Sequence, residues 1–189
     1  MLVPSTSDRN DRLCDTAQYP SRLAHKFGVN PNCCLLDPRS IQVDAPAPQA
    51  FDQIKCIGGK RGWYGLNWLW RLRGTLDQIC GGPGMRGRQD NEEIEIGETI
   101  DFWRVEAYEP NSLLRLQAEM KLPGRAWLEF AVEPLNGGAL IRQTTLFECS
   151  GFWGRLYWWS LYPIHEFVFT GLMSGVARRA EAPHSSPTP

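Results

Sequence analysis

Apolar and polar residues alternate most clearly in the middle of the chain. Three turn-forming tetrads, EPNS at 109–112, LPGR at 122–125 and LNGG at 135–138, separate four segments with the period of two expected of β-strands. On LLRLQAEM, Leu114, Leu116, Ala118 and Met120 share one face; on RAWLEFAVE, Leu128, Phe130 and Val132 oppose Trp127, Glu129 and Glu133. The pattern predicts an antiparallel meander with one buried and one wet face. On TIDFWRVEAYE it places Asp101, Trp103 and Val105 inside in a single strand, with Phe102, Arg104 and Glu106 opposite. ALIRQTTLFE fits either orientation. A charged ladder of Arg104, Arg115, Glu119 and Glu129 is expected on the solvated side.

Helical periodicity flanks this meander. Ile41 and Val43 alternate as a first strand, after which Pro48 opens a short helix carrying Ala50, Phe51 and Ile54. NWLWRLRGTLDQIC offers Asn67 as an N-cap, with Leu69, Leu72, Leu76 and Ile79 as its buried face. GFWGRLYWWSLYPIHEFVFTGLMSGVARRAE is the most apolar segment of all. Arg155, Glu166, Thr170, Ser174 and Arg178 form a narrow polar stripe on it, which argues for a helix laid against a sheet rather than through a bilayer. Pro163 is expected to kink it. Residues 1–37 and 182–189 lack a hydrophobic period and are expected to be a poorly ordered arm and a disordered tail around a domain at 38–181.

Composition narrows the partners. With 189 residues, 42% of them apolar, the chain can bury one core, and a net charge of −1 gives no footprint for nucleic acid. The six cysteines show no C-x-x-C pair or neighbouring histidine at metal spacing, and the N-terminus shows no signal-peptide pattern. They read as reduced thiols of a cytoplasmic protein, and no metal is expected. Gly82, Gly84 and Gly87 have the G-x-G-x-x-G spacing of a dinucleotide loop. They follow a predicted helix instead of a strand, however, and Pro83 removes an amide, so they read as a helix end and turn with no cofactor.

The strand, two helices, meander and long last helix, read with GWYGLNWLWRLRG, GETIDFWRVEAYEP, EMKLPGRAWLEFAVEPL and GRLYWWSLYPIHEFVF, resemble the SRPBCC superfamily, the START and pollen-allergen-like proteins. Within it they resemble a bacterial family of uncharacterised function, also found fused behind NAD-binding reductase- or epimerase-like domains. The resemblance implies an α+β helix-grip fold, about six antiparallel strands curved around the C-terminal helix, with an apolar cavity between. The cavity lining is expected from Trp103, Leu116, Met120, Leu128, Phe130, Trp158, His165 and Phe167, with Trp63 and Tyr64 at the mouth. The leading functional expectation is a non-catalytic module for a lipid-, polyketide- or aromatic-like molecule, accessory to a reductase- or epimerase-like partner. The alternatives are a cyclase or dehydratase using Asp101 and His165, and a peripheral membrane or lipid-handling protein, with membrane-surface contact not favoured.

Overall fold

The structure, a computed structural model, describes residues 25–88 and 93–182. Six strands form one sheet: β1 (Cys34–Val43), β2 (Thr99–Ile100), β3 (Trp103–Glu109), β4 (Leu113–Ala118), β5 (Gly124–Leu135) and β6 (Gly138–Cys149). Their spatial order is β1-β6-β5-β4-β3-β2, antiparallel throughout. Three helices complete the domain: α1 (Ala47–Lys55), α2 (Asn67–Ile79) and the 30-residue α3 (Gly151–Ala180).

The pleat explains which residues go inside. Leu116 pairs with Val105 and Leu128, and Leu114 with Tyr108 and Phe130, so apolar rows run across three strands at once. These rows, with Ile141 of β6, bury against Phe51 and Ile54 of α1 and Leu172 and Val176 of α3. Each such side chain contributes about 1.5–3 kcal/mol by leaving water. α1 forms as its pattern dictates, with proline in its first turn and Ala50, Phe51 and Ile54 buried.

Several expectations are corrected. β1 begins at Cys34, ahead of the expected domain start at 38, because the edge of β6 offers partners as far as Glu148. Residues 1–24 and 183–189, which hold most of the expected arm and tail, lie outside the described residues. The segment 99–109 is not one strand: Ile100 pairs with Trp103, and Asp101 turns the chain with a φ of 55°. Aspartate tolerates that left-handed geometry better than most residues. The turn inverts the local alternation, so Phe102 is buried together with Asp101, Trp103 and Val105.

The outer face of the sheet is not simply solvated. Phe27 and Val29 lie on it against Trp127 and Leu146, and the Phe27 and Trp127 rings meet edge to face at 5.9 Å. Arg115 and Glu129 are thereby buried. They pair at 2.8 Å, with Lys26 adding a second bond to Glu129 at 3.0 Å and Phe27 covering the Arg115 guanidinium at 4.2 Å. Only the Arg104–Glu119 part of the expected ladder stays at the surface.

α2 shows the largest reversal. Its buried residues are Trp70, Gly74 and Asp77, while Leu72, Leu76 and Ile79 are exposed. Asn67 does not cap the helix: Leu66 occupies that position, and the Asn67 side chain accepts the Trp63 backbone N–H at 2.8 Å. The cause of the reversed face is Asp77, fully buried, whose carboxylate accepts the backbone N–H groups of Gly84 at 3.0 Å and Lys121 at 2.7 Å. The glycines make room for that carboxylate. A side chain at Gly82 would collide with Asp77, and Gly84 turns at a φ of 64°. The glycine-rich stretch is therefore a helix end and turn whose Gly84 amide is already bonded to a carboxylate.

Candidate functional site

α2 and the first half of α3 stand apart over one end of the sheet. Between them lies a cavity of about 190 Å³. α2 contributes Leu69, Trp70, Leu72, Arg73 and Leu76; α3 contributes Tyr157, Trp158, Leu161, Ile164, His165, Val168 and Phe169. The sheet side supplies Trp103, Met120, Leu122, Ala126, Thr145 and Phe147. A cavity of about 150 Å³ is enough to hold benzene, so this one has room for a ring or a short chain. Leu72, Leu76 and Ile164 line it while remaining 47%, 49% and 43% exposed, and they mark its mouth.

Its walls are aromatic. Trp158 stacks on Phe147 at 5.7 Å, Trp70 stacks on Trp63 at 4.5 Å, and His165 sits 5.3 Å from Trp158 and 5.4 Å from Phe169. Such contacts hold the rings in place with about 0.5–1.5 kcal/mol per pair beyond burial. Three nitrogens of lining residues, Trp70 Nε1, Trp103 Nε1 and His165 Nδ1, are buried without a hydrogen-bond partner and without accessible surface of their own, so the cavity wall these residues offer is the apolar part of their rings.

A polar cluster closes the β1 side. In register, Asp37 faces Thr145 and Arg39 faces Gln143. Arg39 bonds Asp37 and Glu166 at 2.8 Å each and the Thr170 hydroxyl at 2.9 Å. The expected polar stripe of α3 is thus used at Glu166 and Thr170 to fasten the helix to β1. Arg39 also holds the Glu166 carboxyl below its usual range by hydrogen bonding. Burial raises the Tyr157 phenol above its ordinary value, against the pull of Arg73.

Burial lowers the His165 imidazole to about 4, with Asp37 opposing and Arg39 assisting. The ring is therefore neutral at pH 7. Above its ordinary value of 6.5 both folded and unfolded chains leave it unprotonated; between 6.5 and about 4 only the unfolded chain binds the proton. Stability attributable to this group is lost as pH falls through that window, by about 3 kcal/mol at its foot. Urea unfolding from pH 7 to 4 is expected to show a shallower acid loss in His165→Gln than in wild type. Parallel curves would show that burial of the ring is not what acid attacks.

Of the residues expected at the site, Trp103, Met120, Trp158 and His165 line the cavity. Leu116, Leu128 and Phe130 are fully buried in the main core beyond it, and Phe167 points outward at 70% exposure, half a helical turn from His165. Asp101 does not reach the cavity. Its carboxylate accepts Trp63 Nε1 at 2.8 Å and the Gly59 N–H at 3.2 Å, holding the loop before α2. Trp63 is buried behind Trp70, and Tyr64 donates to the Gln53 carbonyl at 2.9 Å with Arg179 over its ring, so neither stands at the mouth. Trp70, Thr145, Leu161 and Phe169 were missed. The spacing Tyr157, Leu161, His165, Phe169 was a visible signal, since four-residue steps stack on one helix face.

A sheet curved on a long C-terminal helix with a cavity at one end is a helix-grip architecture. Residues 31–172 match the family described as protein of unknown function (DUF2867), and the chain belongs to that family. No curated protein matches it. Among solved structures, the di-domain aromatase/cyclase StfQ from the steffimycin biosynthetic pathway aligns over 96% of this chain and 63% of its own, at 11% identity and a TM-score of 0.50. The ZhuI aromatase/cyclase from Streptomyces sp. R1128 aligns over 78% and 94%, at 13% identity and a TM-score of 0.46. Ara h 8.0201 aligns over 76% and 97%, at 9% identity and a TM-score of 0.41. At these identities the likeness is one of fold. No helix among the described residues is long and apolar enough to cross a membrane, and no cluster there is suited to a metal ion.

Proposed function

We propose that the protein binds a small hydrophobic molecule of aromatic or polyketide-like character in the cavity between α2, α3 and the sheet. The observation that carries this reading is a ring-sized cavity of about 190 Å³ walled largely by aromatic and aliphatic side chains. Such a wall fits a flat apolar body held by shape and ring contacts.

The cyclase or dehydratase alternative needed Asp101 and His165 together. Asp101 is committed to Trp63 and Gly59, and Asp37, whose charge reaches His165, is paired with Arg39, so neither carboxylate is free to serve His165 in acid–base work at the cavity. A binding role is therefore favoured over catalysis. An accessory role beside a reductase- or epimerase-like protein is the extension that the sequence resemblance implies, and co-purification with such a protein would support it.

Calorimetry with naphthol, a flat ring system bearing one oxygen, tests the reading. Trp158→Leu and Phe169→Leu keep an apolar side chain in the wall and remove the ring, and each is expected to weaken binding about fivefold, the worth of one ring–ring contact. Wild-type affinity in both variants would place the ligand elsewhere. Native mass spectrometry of freshly purified protein would name the natural ligand's class.

A further inference from the structure

We propose that the outward face of the first half of α3, with α2 beside it, docks on an anionic lipid bilayer, so that the cavity mouth opens into that contact. What passes through the mouth rests on the cavity reading above. The docking stands on the surface itself.

Apart from Arg155 and Ser160, the first half of α3 turns apolar and aromatic side chains to water. Trp153, Leu156 and Trp159 are 71%, 49% and 60% exposed, as is Phe167 at 70% just beyond Pro163; Trp153, Leu156 and Phe167 lie on the side of the helix opposite Trp158 and His165, and Trp159 lies at its flank. Across the mouth, α2 exposes Leu72 and Trp68, the latter by 61%. Scattered apolar residues on a surface need no explanation, but two neighbouring helices that together expose this many mark a contact surface. Tryptophan is the residue best suited to the boundary between headgroups and acyl chains, because the ring is apolar and the indole N–H stays hydrated.

The charges decide between occupants. Among the described residues, Glu119 is paired with Arg86 and Arg104, Glu148 with Arg125 and Glu166 with Arg39, and Asp77 is held by its backbone bonds. Arg71, Lys121 and Arg155 are exposed, and no ion pair is formed by any of them among the described residues. Arg71 and Arg155 stand on the two helices that carry the apolar face, so that face brings two cations with it although the whole chain carries −1. A second copy of this chain would bring the same cations together in an isologous interface. A leaflet of anionic lipid neutralises them and takes up the apolar side chains at the same time. It also gives the mouth, lined by Leu72, Leu76 and Ile164, an apolar path on its outer side.

The test is co-sedimentation of the full chain with vesicles of phosphatidylcholine alone or mixed with phosphatidylglycerol, at low and high salt. Sedimentation with the anionic vesicles, reduced by salt, is expected. Trp153→Ser/Trp159→Ser and Arg71→Glu/Arg155→Glu are each expected to reduce it at least tenfold, since one cation at the surface is worth about fivefold. Both variants should keep the wild-type melting temperature and naphthol affinity, because these residues do not line the cavity. Absence of sedimentation with anionic vesicles, equal sedimentation with neutral ones, or a wild-type dimer that Trp153→Ser/Trp159→Ser dissociates would overturn the proposal. Vesicle binding without naphthol binding would instead remove the cavity reading and leave the docking intact.

Discussion

Asp77→Ala is expected to lower the unfolding free energy by roughly 2–5 kcal/mol, the largest effect of any single polar substitution in the domain. The carboxylate accepts the backbone N–H groups of Gly84 and Lys121, and alanine leaves both donors buried without a partner. Each unmade bond costs about 1–3 kcal/mol, whereas relief from burying the carboxylate returns only part of that. At about 2–4 °C per kcal/mol for a chain of this size, the melting temperature should fall by several degrees at the least. Asp77→Asn keeps one acceptor oxygen and should fall between the two. Because Asp77 pins α2 to the glycine turn and to the segment after β4, Asp77→Ala should also loosen one wall of the cavity and weaken naphthol binding. A variant within about 0.5 kcal/mol of wild type would mean that water or a shifted backbone replaces the carboxylate.

Ala126→Phe is expected to abolish naphthol binding while leaving the fold intact. Ala126 lines the cavity from β5, next to Phe147 and Trp158 in the same packed group. A phenyl ring added there enters a space of about 190 Å³, most of which a benzene-sized group fills. Ala118 provides the contrast. It pairs with Trp103 but lies outside the cavity lining, packed against both apolar clusters. Ala118→Phe should therefore overpack and cost about 1–3 kcal/mol. Calorimetry and urea unfolding on the two variants separate the cases. Undiminished binding by Ala126→Phe, with a loss of stability like that of Ala118→Phe, would show that the space is closed core.

The two substitutions probe different kinds of information. Ala126 belongs to a row whose inward direction the alternation of β5 already announced. Asp77 sits in a helix whose apolar period pointed the other way, and only its three-dimensional surroundings explain it.

Local pattern determined the elements and most of the architecture. The meander, the proline-opened α1 and the long apolar α3 follow from periods of two and 3.6 and from turn chemistry, which act over neighbouring residues. The same pattern placed Trp103, Met120, Trp158 and His165 toward the inside. Tertiary structure decided the rest, because it rests on pairs distant in sequence. Asp101 reads like a candidate acid until Trp63 and Gly59 are seen to occupy its carboxylate. Arg39 finds its partners, Glu166 and Thr170, on α3 near the other end of the chain. Phe167 and His165 are two residues apart on one helix, about 200° around its axis, and only the position of the sheet determines which of them meets the cavity. The face of α2 was misread for the same reason: the period located an apolar stripe, but a buried carboxylate and two backbone amides outweighed it, and the leucines left outside became the mouth of the site.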